Sequence, residues 1–249
     1  MRVAALYDIH GMVQALDAVL DELSALEVDV LVVGGDVAAG PQPAETLERL
    51  RALGDRVRWV RGNADRAVAT GDAGGLSSEV EAVIRWTAGQ LTEEQRSFLG
   101  SLPERLVLEV TDLGAVCFCH GTPRSDEEIV TEATPDDHLR DVLAAVSEPV
   151  VVAGHTHMQF DRNIDGVRWV NAGSVGMPYE GEVAAFWAML GPDVDLRKTS
   201  FDVERAAEAI LASGWPEADG FVRENVRTAV RREDVVRFFE QVAIDRGER

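Results

Sequence analysis

Four of the five histidines in this 249-residue chain lie just past short apolar runs, with glycine close by. His10 sits in Tyr7-Asp8-Ile9-His10-Gly11, and His120 in Cys119-His120-Gly121. His155 and His157 sit in Gly154-His155-Thr156-His157. Asp36 follows Gly34-Gly35 and Asn63 follows Gly62, each after a further apolar run. Five run ends thus deliver side chains able to hold a metal ion. In an open α/β sheet, ligands bind outside the carboxyl ends of the strands. Glycine lets the backbone turn sharply there and approach a ligand closely. The chain must therefore fold so that several strand ends meet at one edge.

The first half alternates two periodicities. Val3–Tyr7, Val28–Val33 and Val57–Val60 read as buried strands. Met12–Leu26 carries Val13, Leu16, Leu20 and Leu23 at helical spacing, and Ala44–Leu53 follows Pro41 and Pro43 as a second helix. This order implies parallel strands joined by helical crossovers. Residues 64–78 read as a glycine-containing loop, followed by helices over Glu79–Ala88 and Glu93–Leu99, the latter capped by Thr92 with Gln95. From Glu104 the pattern is rich in strands: Leu106–Val110, Ala115–Cys119, Val150–Ala153, Gln159–Asn163, Val167–Val170, Val183–Leu190 and Asp195–Ser200. Asp165-Gly166 is a hairpin signal. Asp136–Val146 reads as a helix with Pro135 as a first-turn residue, and Phe201–Arg249 as helices around a Gly214-Trp215-Pro216 break. The expectation is an α/β domain over 1–249, with two sheets flanked by helices: a core over 1–200 and C-terminal helices over 201–249 packed on it.

Imidazole, carboxylate and amide oxygen together suit borderline divalent ions such as manganese, iron, zinc or nickel. Seven candidate ligands are too many for one ion. Two ions sharing a carboxylate fit better, and a metal pair is the usual arrangement for phosphoester hydrolysis. The ordered set Asp8-x-His10, Gly35-Asp36, Gly62-Asn63-x-Asp65, His120-Gly121 and Gly154-His155-x-His157 resembles the calcineurin-like metallophosphoesterases. Gly35-Asp36-Val37 through Gly40-Pro41, and Asn171 to Gly176, resemble their small bacterial and archaeal phosphodiesterase branch. The resemblance implies a four-layer αββα sandwich of two mixed sheets. It implies one ion on Asp8, His10, Asp36 and His157, and a second on Asp36, Asn63, His120 and His155, with Asp36 bridging. It further implies in-line attack on phosphorus by a hydroxide held between the ions. The expected substrates are phosphodiesters or activated phosphomonoesters.

The chain departs from the family pattern at Ala64, where a histidine commonly follows the motif asparagine, and at Met12, where asparagine is common. An alanine cannot protonate a leaving group, a contribution worth roughly 10²–10⁴-fold. Asp65, Arg66, Arg61 and Arg124 are the substitutes that lie near in sequence. Arg61 and Arg124 are also candidates for substrate contact, as are Asn171 and Ser174 in a glycine-rich loop. The rival reading is a catalytically weakened member of the fold that binds a protein partner. His138 reads as a surface residue, and Cys117 and Cys119, at strand spacing, as buried neighbours on one face.

Composition narrows the partners. Asp and Glu number 44 against 24 Lys and Arg, a formal net charge of −20. Such a field disfavours non-specific binding to nucleic acid or anionic membrane. It does not oppose a small phosphoester, because bound cations invert the local potential. Two cysteines exclude a disulfide framework, and no apolar run approaches the ~20 residues of a membrane span. The expectation is a soluble cytoplasmic protein of unspecified oligomeric state.

Overall fold

The computed structural model describes residues 1–72 and 77–249. The chain runs β1 (Val3–Leu6), α1 (Val13–Ser24), β2 (Val30–Val33), α2 (Pro43–Arg51), β3 (Val57–Trp59), α3 (Asn63–Thr70), α4 (Ser78–Gln90) and α5 (Glu93–Ser101). It continues with β4 (Arg105–Val110), β5 (Gly114–Cys119), α6 (Asp136–Leu143), β6 (Val150–Ala153), β7 (Phe160–Ile164), β8 (Val167–Asn171), β9 (Ala185–Leu190) and β10 (Val194–Thr199). It closes with α7 (Val203–Ala212), α8 (Ala218–Phe221), a π-helical turn over Val222–Val226, and α9 (Arg232–Asp245). Among the described residues, no helix is long and apolar enough to cross a membrane.

Among the described residues two five-stranded mixed sheets form, ordered β10-β9-β1-β2-β3 and β4-β5-β6-β8-β7. In the first, β1, β2 and β3 are parallel, as the crossovers predict. In the second, β5, β6 and β8 are parallel. The period-2 alternation of each strand sorts its side chains between layers. Val3, Ala5 and Tyr7 of the first sheet meet Val116, Phe118, Val150 and Val152 of the second in the core between the sheets. Ala4 and Leu6 turn the other way, onto Leu16 and Val19 of α1 and Leu47 and Leu50 of α2. Cys117, Cys119, Val151 and Trp169 turn onto Leu139 and Val142 of α6. This is the expected four-layer αββα order. The cysteines are free, buried and on one face.

Three readings need correction. Asn63–Thr70 is a helix where the sequence reads as loop. Only Val68 and Asp65 of it are buried, so its apolar periodicity is too thin to register. Gly71, at φ +72°, ends it in the left-handed conformation that glycine adopts without strain. The remainder of the expected loop includes residues 73–76, which lie outside the described residues. Pro135 caps α6 rather than entering its first turn. His138 is not a free surface residue: its ring is half-buried, with Nε2 3.2 Å from Glu128 Oε1.

Candidate metal centre

The carboxyl ends of β1, β2, β3, β5 and β6 lead directly into the segments carrying Asp8 and His10, Asp36, Asn63, His120, and His155 and His157. Backbone bonds fasten these segments to one another. The N–H groups of Asp8, His10 and Gly11 donate to Gly35, Asp36 and Val37 carbonyls at 3.1, 2.9 and 3.0 Å. Gly154 N–H donates to the His120 carbonyl at 2.9 Å. Asp8, His10, Asp36, His155 and His157 all have positive φ, between 48° and 67°. Such backbone is sparsely populated for residues other than glycine and persists only where the surroundings enforce it.

Close approach explains the glycines. A Cβ at Gly62 would lie 2.1 Å from Asp36 Oδ1, and one at Gly154 2.5 Å from Asp8 Oδ2. Only a residue without a side chain lets those two carboxylates occupy their places.

Three imidazoles are oriented in the same way. Nδ1 of His10, His120 and His157 lies 2.9, 2.9 and 2.7 Å from the carbonyls of Ala39, Gly34 and Met177. A carbonyl only accepts, so Nδ1 carries the proton and Nε2 is turned to the cluster. Fixing the outer ring nitrogen on a carbonyl is the usual support of a metal-ligating histidine. His155 is reversed: its Nε2 lies 3.1 Å from the Glu127 carbonyl, which leaves Nδ1 as the free nitrogen.

The Nε2 atoms converge on the carboxylates. Asp8 Oδ1 stands 3.2 Å from His157, 3.8 Å from His120 and 3.9 Å from His10. Asp36 Oδ2 stands 3.4 Å from His120 and 3.8 Å from His10. Asn63 Oδ1 is 3.0 Å from His120 Nε2. His10 and His157 face each other, Nε2 to Nε2, at 3.2 Å. Asp8 is fully buried, yet among the described residues its Oδ1 has no hydrogen-bond partner. A buried orphan carboxylate oxygen ringed by imidazole nitrogens fits a cation. Two overlapping triads, Asp8-His10-His157 and Asp8-Asp36-His120, have ligand atoms within 4.8 Å of one another.

Charge coupling dominates the titration of these groups. Burial pushes the Asp8 carboxyl up, but His157 and His120 outweigh it and hold it low. Asp36 is likewise held far below the usual carboxylate range by His120 and His10 against the effect of burial. Burial pulls His120 down, but Asp36 and Asp8 raise it to about 10. Burial, then His120, lowers His155 to about 4.

The other sequence candidates have different places. Asp65 is fully buried and accepts the N–H groups of Asp36, Val37 and Gly62 at 2.9, 2.9 and 3.0 Å. It braces the Asp36 loop instead of facing a substrate. Burial and the Asp36 charge push it up to about 7, against those donors. Asn171 is also a brace: its Nδ2 donates to the Gly154 carbonyl at 2.7 Å and to Thr156 Oγ1 at 3.0 Å. Ser174 Oγ donates to the Asp8 carbonyl at 2.7 Å and accepts from Met177 N–H at 2.8 Å. Both are buried, so the expected substrate contact gives way to loop support. Arg61 pairs with Glu104 at 2.7 Å, and Arg124 with Glu128 at 2.6 Å and Asp141 at 2.7 Å. Arg66 pairs with Asp126 at 2.9 Å and Glu127 at 2.6 Å. These ion pairs hold the arginines away from the cleft described below.

Two aromatic neighbours have no signal in the sequence. Tyr179 stacks on His157, ring centroids 5.0 Å apart and planes within 17°. Phe239 of α9 lies 6.5 Å from the rings of both His155 and Tyr179. The C-terminal helix therefore flanks the centre. Arg232 fastens it there through Glu132 at 2.7 Å, Glu180 and the Gln159 carbonyl. A cleft of about 400 Å³ opens on the other flank, with His10, Asp36, Asn63 and Ala64 in its lining.

The family model described as the calcineurin-like phosphoesterase superfamily domain matches residues 1–190. Phosphodiesterase YfcE of Escherichia coli K12 is 29% identical over 203 residues, which span 78% of this chain and 89% of that protein. The structure of a metallophosphoesterase from Sphaerobacter thermophilus aligns over 92% of this chain and 99% of its own, with TM-score 0.72 and 26% identity. The structure of hypothetical protein PH1004 from Pyrococcus horikoshii aligns over 89% and 97%, with TM-score 0.78 and 22% identity.

Proposed function

The chain belongs to the calcineurin-like phosphoesterase superfamily, and on that premise we propose that it hydrolyses phosphodiesters or activated phosphomonoesters at a two-metal centre. The observation that carries the reading is the convergence of His10, His120 and His157 Nε2 on Asp8 Oδ1, a buried oxygen with no hydrogen-bond partner among the described residues. We assign one ion to Asp8, His10, Asp36 and His157, and the second to Asp36, Asn63, His120 and His155. The donor set suits manganese, iron, zinc or nickel. Such a pair, when bound, lowers the pKa of water and takes up charge on the phosphoryl oxygens.

The chain's own residues do the rest. Asp8 and Asp36 supply the negative charge that holds the cations in a buried place. The carbonyls of Ala39, Gly34, Met177 and Glu127 fix the four rings before any ligand arrives, so no reorganisation is needed at the moment of reaction. Asp65, Asn171 and Ser174 hold the loops that carry Asp36, His155 and Asp8. Ala64 donates its backbone N–H to Asp36 Oδ1 at 2.8 Å and has no side-chain proton to offer. The departing alcohol therefore leaves without an acid from that position, which favours esters of acidic alcohols.

The test is hydrolysis of bis(p-nitrophenyl) phosphate by chelator-stripped protein with and without added Mn²⁺. Its good leaving group bypasses Ala64. Metal-dependent turnover that Asp36→Ala abolishes is expected. Stoichiometric metal binding without turnover, across several metals, would instead favour the partner-binding reading that Ala64 suggests.

A further inference from the structure

The cleft beside the centre differs in character from the centre itself. Val80, Val83 and Ile84 of α4 form one wall, and Trp215 and Phe221 form part of another. Ile84, Trp215 and Phe221 belong to the main core cluster. The charged residues in the lining outside the centre are Glu79, Glu217 and Glu224. Glu224 is paired with Arg223 at 2.6 Å. Among the described residues, no lysine or arginine lines the cleft. Trp215 is buried, and among the described residues its Nε1 has no hydrogen-bond partner.

We propose that this cleft holds an uncharged, apolar ester group of the substrate and rejects an anionic one, so that the substrates are monoanionic phosphodiesters of apolar alcohols rather than polyphosphates or esters carrying further acid groups. The inference rests on the hydrolase reading above and deepens it. His10, Asp36, Asn63 and Ala64 belong to the cleft and border the centre, so a phosphoryl group seated on the metals directs an ester group into the cleft. There the group meets aliphatic and aromatic walls, whose contact favours apolar surface. A second anionic group, placed beyond the ions, would lie near Glu79, Glu217 and Glu224, with no lysine or arginine of the described residues in the lining to offset it.

The experiment reads binding, so it does not depend on turnover. Dimethyl phosphate, dibenzyl phosphate and bis(4-carboxybenzyl) phosphate are titrated calorimetrically into manganese-loaded protein. Being symmetric, they present the same group whichever ester position enters the cleft. Dibenzyl phosphate is expected to bind at least about tenfold tighter than dimethyl phosphate, and at least about tenfold tighter than the dicarboxylate. Val80 is 40% exposed, so Val80→Lys is compatible with the fold. It is expected to narrow the gap between dibenzyl and dicarboxylate at least about threefold. Val107→Lys adds the same charge on β4, at a residue 46% exposed, and is expected to leave the gap as it was. Equal affinity for dimethyl and dibenzyl phosphate overturns the proposal, as does a gap that both lysine variants narrow alike. That ranking together with absent bis(p-nitrophenyl) phosphate hydrolysis would sink the hydrolase reading alone. Turnover without the ranking would sink the cleft assignment alone.

Discussion

Replacing Asp65 with asparagine separates positioning from catalysis. In the structure Oδ1 accepts from Val37 N–H, and Oδ2 accepts from both Asp36 and Gly62 N–H. An asparagine can turn its oxygen to one of these sides only. Its amide nitrogen then faces at least one N–H, donor against donor, in a fully buried place. A hydrogen bond to a charged group contributes about 1.5–3 kcal/mol, and an orphaned buried donor costs about 1–3 kcal/mol. Relief of repulsion with Asp36, which helps push Asp65 up to about 7, offsets part of this. The net expectation for Asp65→Asn is a loss of about 2–3 kcal/mol in the metal-free protein. Urea unfolding followed by circular dichroism reads it as a lower midpoint at unchanged slope. Because the Asp36 loop loosens, divalent-metal affinity should fall roughly 10–100-fold, as it does when a ligand's outer support is removed. An unchanged midpoint and unchanged metal affinity, with turnover reduced at saturating metal, would refute the reasoning. Asp65 would then act on substrate after all.

Three further outcomes follow from the geometry. His120 is raised to about 10 by Asp36 and Asp8, so near neutral pH a metal must displace its proton. Metal affinity should therefore rise about tenfold per pH unit between 6.5 and 8.5, with proton release seen by calorimetry in buffers of different ionisation enthalpy; a flat profile contradicts this. Gly62→Ala places a Cβ 2.1 Å from Asp36 Oδ1, so it should cost about 1–3 kcal/mol in thermal unfolding and weaken metal binding, whereas a neutral result would mean that the loop shifts freely. Ala64→His, at a position that lines the cleft, should raise turnover of a phenyl ester by at least about tenfold and of a p-nitrophenyl ester much less; equal effects on both would argue against a missing proton donor.

The cluster was legible because glycine and metal-capable residues recur together at the ends of apolar runs, and parallel strands bring such ends to one edge. The two-sheet architecture followed from the same alternation of periods 2 and 3.6. What stayed hidden was direction. Proximity in sequence placed Asp65, Arg61 and Arg124 near the chemistry, but Asp65 turns inward to three backbone N–H groups and the arginines turn to Glu104, Glu128 and Asp141. A glycine-rich loop around Asn171 and Ser174 suggests anion contact, yet both direct their polar atoms to neighbouring loops. The carbonyls that orient the four rings are backbone atoms and leave no trace in residue identity. Phe239 reaches the centre from the far end of the chain, a contact that only tertiary structure creates.

The proposed two-metal phosphodiesterase centre has a stoichiometric signature. The most direct measurement titrates chelator-stripped protein with Mn²⁺ and follows the initial rate of bis(p-nitrophenyl) phosphate hydrolysis against metal equivalents. The rate is expected to rise to saturation at two equivalents and to be absent in Asp8→Ala at every point. Saturation at one equivalent, or no rate with two equivalents bound, would contradict it.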